Sequence, residues 1–395
     1  MLYYACENDE IFWQWLDLFL CDCQLRIGSA HLNFIFDDMN LTKFYFALGR
    51  PLAPVYSAAM RIRENWYRRG TLKSYQLEAP VISVGNLTMG GTGKTPMVQY
   101  LARLLQSSGF RPAVISRGYG GKAQDKVNLV SDGSRLLLDA TRAGDEPRFL
   151  AETLPGVPVL TGIVRRLPAQ KALDMGSDVL LLDDGFQHLQ VVRDINLVLF
   201  NTDRLAGNSR VFPGGELREP VAALKRATRF ILTGVHEDNQ SRAEQFAALL
   251  QKKFPQIPVT MTGYGVDRPV RLSNQGVIEA VDADLLNGSR GFGFCGIAHP
   301  QSFRDTLERH GYNLAGFSSL GDHQRYSSAT IEKLIARAGQ AGAEFLITTE
   351  KDLVKLAGYA VDLPLPLYAL RMEVIADEHF NRIILADLHA WKQHR

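Results

Sequence analysis

Val84-Gly85-Asn86-Leu87-Thr88-Met89-Gly90-Gly91-Thr92-Gly93-Lys94-Thr95 is the stretch on which the fold turns. An apolar run from Val81 to Val84 leads into it, and an amphipathic stretch from Lys94 to Gln106 follows. Strand, Gly-rich turn and helix in that order predict a P-loop. Small residues let backbone N–H groups converge on phosphate oxygens, and the helix N-terminus adds its positive end. In such a loop Thr88, Met89, Gly90, Gly91, Thr92 and Gly93 wrap the phosphates of a nucleotide, ATP in the simplest case. Lys94 then reaches the β- and γ-phosphates, and the Thr95 hydroxyl ligates Mg2+. The first glycine of the usual G-x-x-x-x-G-K-[ST] pattern is Thr88 here, so Gly90 and Gly91 must supply the bend. The alternative is a Gly-rich turn that holds nothing.

Working outward, Val179-Leu180-Leu181-Leu182-Asp183-Asp184-Gly185-Phe186-Gln187-His188 has the form of a Walker B strand. Four apolar residues run into a carboxylate that would hold the Mg2+ shell. Asp-Gly is also a common turn, and either Asp183 or Asp184 can be the nearer to the metal. Gly144-Asp145-Glu146-Pro147 opens a helix through Leu150, with Asp145 as its N-cap and Pro147 in its first turn. A carboxylate beside a γ-phosphate can also take the proton of an attacking hydroxyl. Arg117-Gly118-Tyr119-Gly120-Gly121-Lys122 follows the strand at Ala113–Ser116. Loops at that edge of a parallel sheet face ligands, and this one suits a phosphorylated or sugar substrate, or is a solvated loop. Arg218, in Leu217-Arg218-Glu219-Pro220, either steadies transition-state charge or pairs locally. His323, in Gly321-Asp322-His323, is of a type more often structural than catalytic.

At 395 residues the chain exceeds one ordinary core, and two domains are expected. Apolar residues make up 46% and charged ones 22%, which excludes a disordered or fibrous chain; a net charge of +2 gives no reason to invoke nucleic acid. Cys6, Cys21, Cys23 and Cys295 form neither a disulfide framework nor a zinc pattern, which fits a reducing, cytoplasmic setting. Phe12–Leu20 is interrupted by Asp17 and is too short to span a membrane; the acidic start is unlike a secretory signal. From Lys43 to Lys73 basic residues interleave with Phe44, Tyr45, Phe46, Leu48, Tyr56, Trp66 and Tyr67. Such a segment either lies in a membrane surface or packs with a solvated basic face. Pro51 and Pro54 break it, with the helix proper starting near Val55.

Apolar strands alternate with amphipathic helices throughout the rest. The expected fold class is α/β, a P-loop NTPase-like parallel sheet domain with a second, smaller α/β domain. The expected division is an extension at 1–38, the basic amphipathic segment at 39–75, the P-loop domain at 76–228, the second α/β domain at 229–372 and a C-terminal helix at 373–395. Its inter-domain boundary falls near 225–235.

Seven ordered motifs carry a family resemblance: Gly-Gly-Thr-Gly-Lys-Thr-Pro (90–96), Ser-Arg-Gly-Tyr-Gly-Gly (116–121), Gly-Asp-Glu-Pro (144–147), Asp-Asp-Gly-Phe-Gln-His (183–188), Leu-Arg-Glu-Pro (217–220), Gly-Asp-His (321–323) and Thr-Glu-Lys-Asp (349–352). The set resembles the tetraacyldisaccharide 4'-kinases from about residue 40 onward, and Thr88 resembles them too. The resemblance implies an ATP- and Mg2+-dependent phosphotransferase of lipid A biosynthesis acting on the 4'-hydroxyl of tetraacyldisaccharide 1-phosphate. It implies a peripheral place on the cytoplasmic face of the bacterial inner membrane; nucleic acid is not expected, and no protein partner is implied. Asp145 is implied as general base partnered by His323, with Lys94 and Arg218 also catalytic. Asp183, Asp184, Glu146, Gln187, Arg218 and Glu219 are implied near metal and phosphates. Within that set Thr95, Asp183, Asp184 and Glu146 are expected at the metal, and Arg117, Tyr119, Gln187 and Glu219 at the substrate. Two rivals stay open: a kinase or ligase of a soluble metabolite, and a nucleotide-switched membrane-binding protein. Residues 1–38 match nothing in the family and are strongly acidic, so Met39 is the expected initiator. Peptides from upstream of Met39 in mass spectra of the endogenous protein would overturn that expectation.

Overall fold

The computed structural model describes residues 38–272, 278–297, 300–321, 324, 326–356 and 363–393. The chain forms two compact units, one of residues 1–74 with 208–220 and one of 75–207 with 221–395. The expected extension at 1–37 lies outside the described residues.

In the first unit, helix α1 (Asp38–Gly49) and helix α2 (Ala53–Arg68) flank a tight turn at Arg50–Leu52. Pro51 and Pro54 sit in the first turns of their segments, where a missing N–H costs nothing. The proline break is where the sequence puts it, but the chain is helical on both sides and α2 begins at Ala53. Phe44, Leu48, Leu52, Val55, Ile62 and Trp66 are exposed, and so are Lys43, Arg50, Arg61, Arg68 and Arg69. No described helix is long and apolar enough to cross a membrane. Loop 208–220 packs on these helices: Phe212 meets the Tyr56 ring edge-on at 5.7 Å, and Gly49 lies so close to Pro213 that no larger residue fits.

The second unit holds two sheets. The first is built from β1 (Val81–Asn86), β2 (Pro112–Ser116), β3 (Asn128–Ser131), β4 (Val159–Thr161), β5 (Val179–Asp183), β6 (Ile195–Asn201), β7 (Arg229–Thr233) and β8 (Val259–Met261). Their order is β3-β4-β2-β5-β1-β6-β7-β8, parallel throughout except that β3 runs against β4. β1, β2, β5 and β7 are buried along their whole length, as unbroken apolar strands covered on both faces must be. Helices α3 (Lys94–Ser107), α4 (Asp145–Thr153), α5 (Arg166–Asp174) and α6 (Gln240–Lys253) supply the crossovers.

The second sheet comprises β9 (Gly263–Leu272), β10 (Ile278–Ala280), β11 (Arg290–Cys295), β12 (Asn313–Ser319), β13 (Phe345–Thr349) and β14 (Leu367–Ile375), in the order β10-β9-β14-β13-β11-β12. β14, β13, β11 and β12 are parallel, and β9 runs against β14. Its helices are α7 (Pro300–Arg309), α8 (Ser328–Gln340) and α9 (Glu350–Lys355).

The expected boundary near 225–235 falls inside the first sheet, because β7 pairs with β6 and β8 with β7. The sheets change at Gly263. The strand at 230–233 is as apolar as those before it, and composition cannot show which sheet edge a strand joins. The tail differs too: β14 extends to Ile375, and α10 (Glu378–Gln393) returns to the first sheet. Phe380, Ile384 and Leu388, spaced four apart on one helical face, are fully buried with Leu101, Leu105 and Phe110. Tyr100 donates to Asn381 Oδ1 at 2.5 Å, and Trp391 Nε1 to Asp194 Oδ1 at 2.9 Å. Phe380→Ala should therefore destabilise the whole unit by about 3–5 kcal/mol in urea unfolding. A loss well under that range would mean α10 is an appendage.

Candidate active site

The Gly-rich turn joins β1 to α3. Gly93 is the N-cap of α3 in the left-handed region (φ +79°), and Gly90 has φ +105°. A side chain at Gly93 would strike the Tyr264 hydroxyl of β9, so only glycine lets the second sheet come this close. Thr233 Oγ1, at the end of β7, donates to Thr92 O at 2.9 Å. From inside the turn, Asn86 Nδ2 donates to Thr88 O at 2.8 Å, and Lys94 Nζ donates to Asn86 Oδ1 at 3.2 Å. Thr88 is buried, and among the described residues only Asp184, Leu205 and Ser209 are left-handed without being glycine. The first P-loop position thus needs no glycine here. Burial pushes the Tyr264 hydroxyl up to about 12, so it stays a neutral strut. Asn86, Thr233 and Tyr264 were not among the expected site residues; only Asn86, inside the motif, left a local signal.

Beside the turn, Asp183 ends β5 opposite Val84 of β1. Asp184 follows with φ +50°, and Gly185 packs so close to Ser83 Oγ that a side chain there would collide at 2.6 Å. Asp184 Oδ1 lies 3.6 Å from Lys94 Nζ, while its carbonyl accepts from Arg165 at 2.8 Å. Ser116 Oγ donates to Asp183 Oδ2 at 3.3 Å, and Gln187 Nε2 donates to Asn86 O at 2.9 Å. Burial, then the charges of Glu146 and Asp184, raise Asp183 from 3.8 to about 7. A buried Asp183 with the more exposed Asp184 and Glu146 beside it is a charge arrangement that a divalent cation relieves. No group of three His, Cys, Asp or Glu residues among those described closes a metal site on its own.

Loop 117–122 and the turn before α4 are built against each other. Lys122 N donates to Thr141 O at 2.9 Å and Ala123 N to Arg142 O at 3.0 Å; Gly144 (φ +91°) sits against Tyr119 O with no room for a side chain. Gly144, and not Asp145, is the N-cap of α4: only glycine accepts that backbone, so Asp145 becomes the first helical residue. Asp145 and Glu146 both occupy the first turn, where the helix dipole favours carboxylates. Gln99 Nε2 donates to Thr153 Oγ1 at 2.6 Å, which ties α4 to α3. Two lysines of α9 reach this turn. Lys355 Nζ is 3.3 Å from Asp145 Oδ2, and Lys351 Nζ is 3.3 Å from Glu146 Oε1. Neither lysine was among the expected site residues.

Arg117 is half-buried at the foot of its loop and Tyr119 is exposed. Arg218 and Glu219 belong to the first unit, where Tyr56 donates to Arg218 O at 2.9 Å and Arg63 lies 4.0 Å from the buried Glu219 carboxylate. His323 lies outside the described residues.

Asp183 holds its proton more tightly folded, at about 7, than unfolded, near 3.8. The stability tied to it is complete below about pH 4 and is lost as pH rises through about 7. Asp183→Asn should remove that slope, so its melting temperature falls less between pH 5.5 and 8 than the wild type's. Parallel slopes would show that Asp183 ionises freely.

A family model described as tetraacyldisaccharide-1-P 4'-kinase matches residues 45–389. The tetraacyldisaccharide 4'-kinase of Desulfotalea psychrophila is 45% identical over 341 residues, covering 86% of this chain and 96% of its own. That of Syntrophus aciditrophicus is 42% identical over 342 residues, covering 84% and 90%. The crystal structure of LpxK from Aquifex aeolicus in complex with ATP superposes with a TM-score of 0.68 at 31% identity, covering 86% of this chain and 98% of that one. Motifs, fold and relatives agree over most of the length: the chain belongs to the tetraacyldisaccharide 4'-kinase family.

Proposed function

We propose that the chain transfers the γ-phosphoryl of ATP to the 4'-hydroxyl of tetraacyldisaccharide 1-phosphate, the lipid A precursor, at a membrane surface. The observation that carries this is the Lys94–Asp184 cluster of the P-loop together with the Asp145-Glu146 helix, which Gln99 and Thr153 tie to the helix after that loop. A phosphate cradle alone suits any nucleotide-binding protein. A carboxylate pair on a separate helix beside it is what an acceptor hydroxyl requires. The family's printed substrate supplies the identity of the acceptor.

In this assignment Lys94 and the amides of residues 88–95 hold the triphosphate. Thr95, Asp183 and Asp184 are the groups for Mg2+, with Glu146 close by. When bound, Mg2+ neutralises phosphate charge during transfer. Asp145 accepts the proton of the 4'-hydroxyl as its oxygen bonds to phosphorus and ADP leaves. His323 is proposed as the partner of Asp145, Arg218 as a cation for the transferring charge, and Arg117, Tyr119, Gln187 and Glu219 as contacts to the sugar headgroup. The exposed apolar and basic residues of α1 and α2 support a peripheral seat on anionic lipid, on the cytoplasmic face of the bacterial inner membrane.

The test is transfer of radiolabelled γ-phosphate to tetraacyldisaccharide 1-phosphate in detergent micelles, with Asp145→Ala beside the wild type. Labelled lipid should form with the wild type and fall by about 100-fold or more in the variant. Label released only as free phosphate, equally from both, would point to a nucleotide-driven switch.

A further inference from the structure

Tyr264, the second residue of β9, has its ring seated between two left-handed glycines. Gly93 (φ +79°) closes the Gly-rich turn after β1, and Gly234 (φ +71°) follows β7. A side chain on Gly93 would overlap the Tyr264 hydroxyl, and one on Gly234 would press on Cε2 of its ring at 3.3 Å. The tyrosine is held from behind as well. Thr262, two residues earlier and buried, donates through its N to Leu232 O at 2.8 Å and accepts from Val235 N at 3.0 Å. Tyr264 is paired with Val374 of β14, and its ring packs against the core that holds Leu101 and Leu105 of α3.

Thr233 completes the seat. It is the last residue of β7, fully buried, and is the side chain that the Tyr264 hydroxyl meets. Its Oγ1 is 2.9 Å from Thr92 O and 3.4 Å from Phe200 O; a hydroxyl has one proton, and the shorter contact takes it. Thr92 O belongs to the peptide whose N–H is that of Gly93. Two side chains therefore bear on one peptide unit: Thr233 holds its carbonyl, and Tyr264 fills the space over the glycine that follows. Glycine passes between left- and right-handed backbone at little cost, and a loop that is loose before binding must be ordered when its ligand arrives. The small residues of the turn cannot restrain themselves, since the bend needs them small. A rigid ring from another strand can.

We infer that Tyr264 is a positioning residue for the phosphate loop: from β9 it fixes, with Thr233, the Thr92–Gly93 peptide in the orientation that receives nucleotide phosphates. This rests on the assignment of residues 88–95 as the phosphate cradle. Tyr264 acts through the backbone of the loop and not on the reacting atoms. The restraint is in place before chemistry and bears on the nucleotide alone, so its loss falls on KM for ATP and not on kcat or on the acceptor.

Full-length Tyr264→Phe, Thr233→Val and the double variant test this, with Kd for MgADP, KM for ATP, KM for tetraacyldisaccharide 1-phosphate, kcat and urea midpoint read in each. Tyr264→Phe removes one oxygen and should weaken MgADP and raise KM for ATP by about tenfold, with kcat and the acceptor KM within about twofold of wild type. Thr233→Val should do the same. The double variant should be no more than about twofold worse than either single change, because both act on one peptide. Thr233→Ser keeps the hydroxyl and should bind MgADP within about twofold of wild type. A merely structural role predicts a lower urea midpoint with MgADP affinity unmoved. That result, or effects that multiply in the double variant, would overturn the proposal. Lys94→Ala is the control for the cradle: MgADP binding unaltered by that change would remove the assignment on which the proposal rests. If Tyr264→Phe does not fold, Tyr264→Leu serves. It gives up ring and hydroxyl together and should weaken MgADP at least as much, and wild-type affinity in that variant would overturn the proposal equally.

Discussion

The buried carboxylate of Asp183, with Asp184 and Glu146 beside it, is the constraint around which the second unit is arranged. Asp183, Asp184 and Glu146 come from two different elements, and their mutual effect on Asp183 shows how poorly they tolerate one another. Such a cluster is unfavourable in a bare protein and favourable once cations share it. Lys94 and Arg165 are the fixed counter-charges, and Lys351 and Lys355 reach in from α9. The stability forgone at this spot is offset by the extensive apolar core under the sheet, where β1, β5 and β7 are sealed on both faces.

The two sheets differ in what they contribute. The first presents the amides proposed to bind phosphate, and the carboxylates, at one edge of its parallel strands, where loops after strands gather. The second presents struts: the Tyr264 ring against Gly93, and the lysines of α9 against α4. A phosphate cradle needs close approach and therefore glycine.

Local features were legible in the sequence, and distant ones were not. The strand, turn and helix at 81–107 could be read because each signal lies within a few residues of the next. The same holds for the apolar strand running into Asp183. Asp145 was read one position off as a cap, because the left-handed backbone of Gly144 leaves no trace beyond the glycine itself. β9 escaped notice since Gly263, Gly265 and Pro269 look like strand breakers; it pairs with β14 regardless, through a register shift near Leu370. Lys355 had no signal at all. Its place beside Asp145 comes from the pairing of β13 and β14, which fixes where α9 lies, and no periodicity in residues 350–355 encodes that.

The return of α10 to the first sheet orders events during synthesis. The core cluster that holds Leu101 and Leu105 also takes in Phe380, Ile384 and Leu388, so it is incomplete until those residues have been made. β1 and the P-loop leave the ribosome early but cannot be sealed early, and the whole second sheet must be produced while that core is incomplete. Domains usually mature in the order they are translated. Here the half that emerges first is finished last, so the core beneath the Gly-rich turn is complete only when the distal helix has joined it.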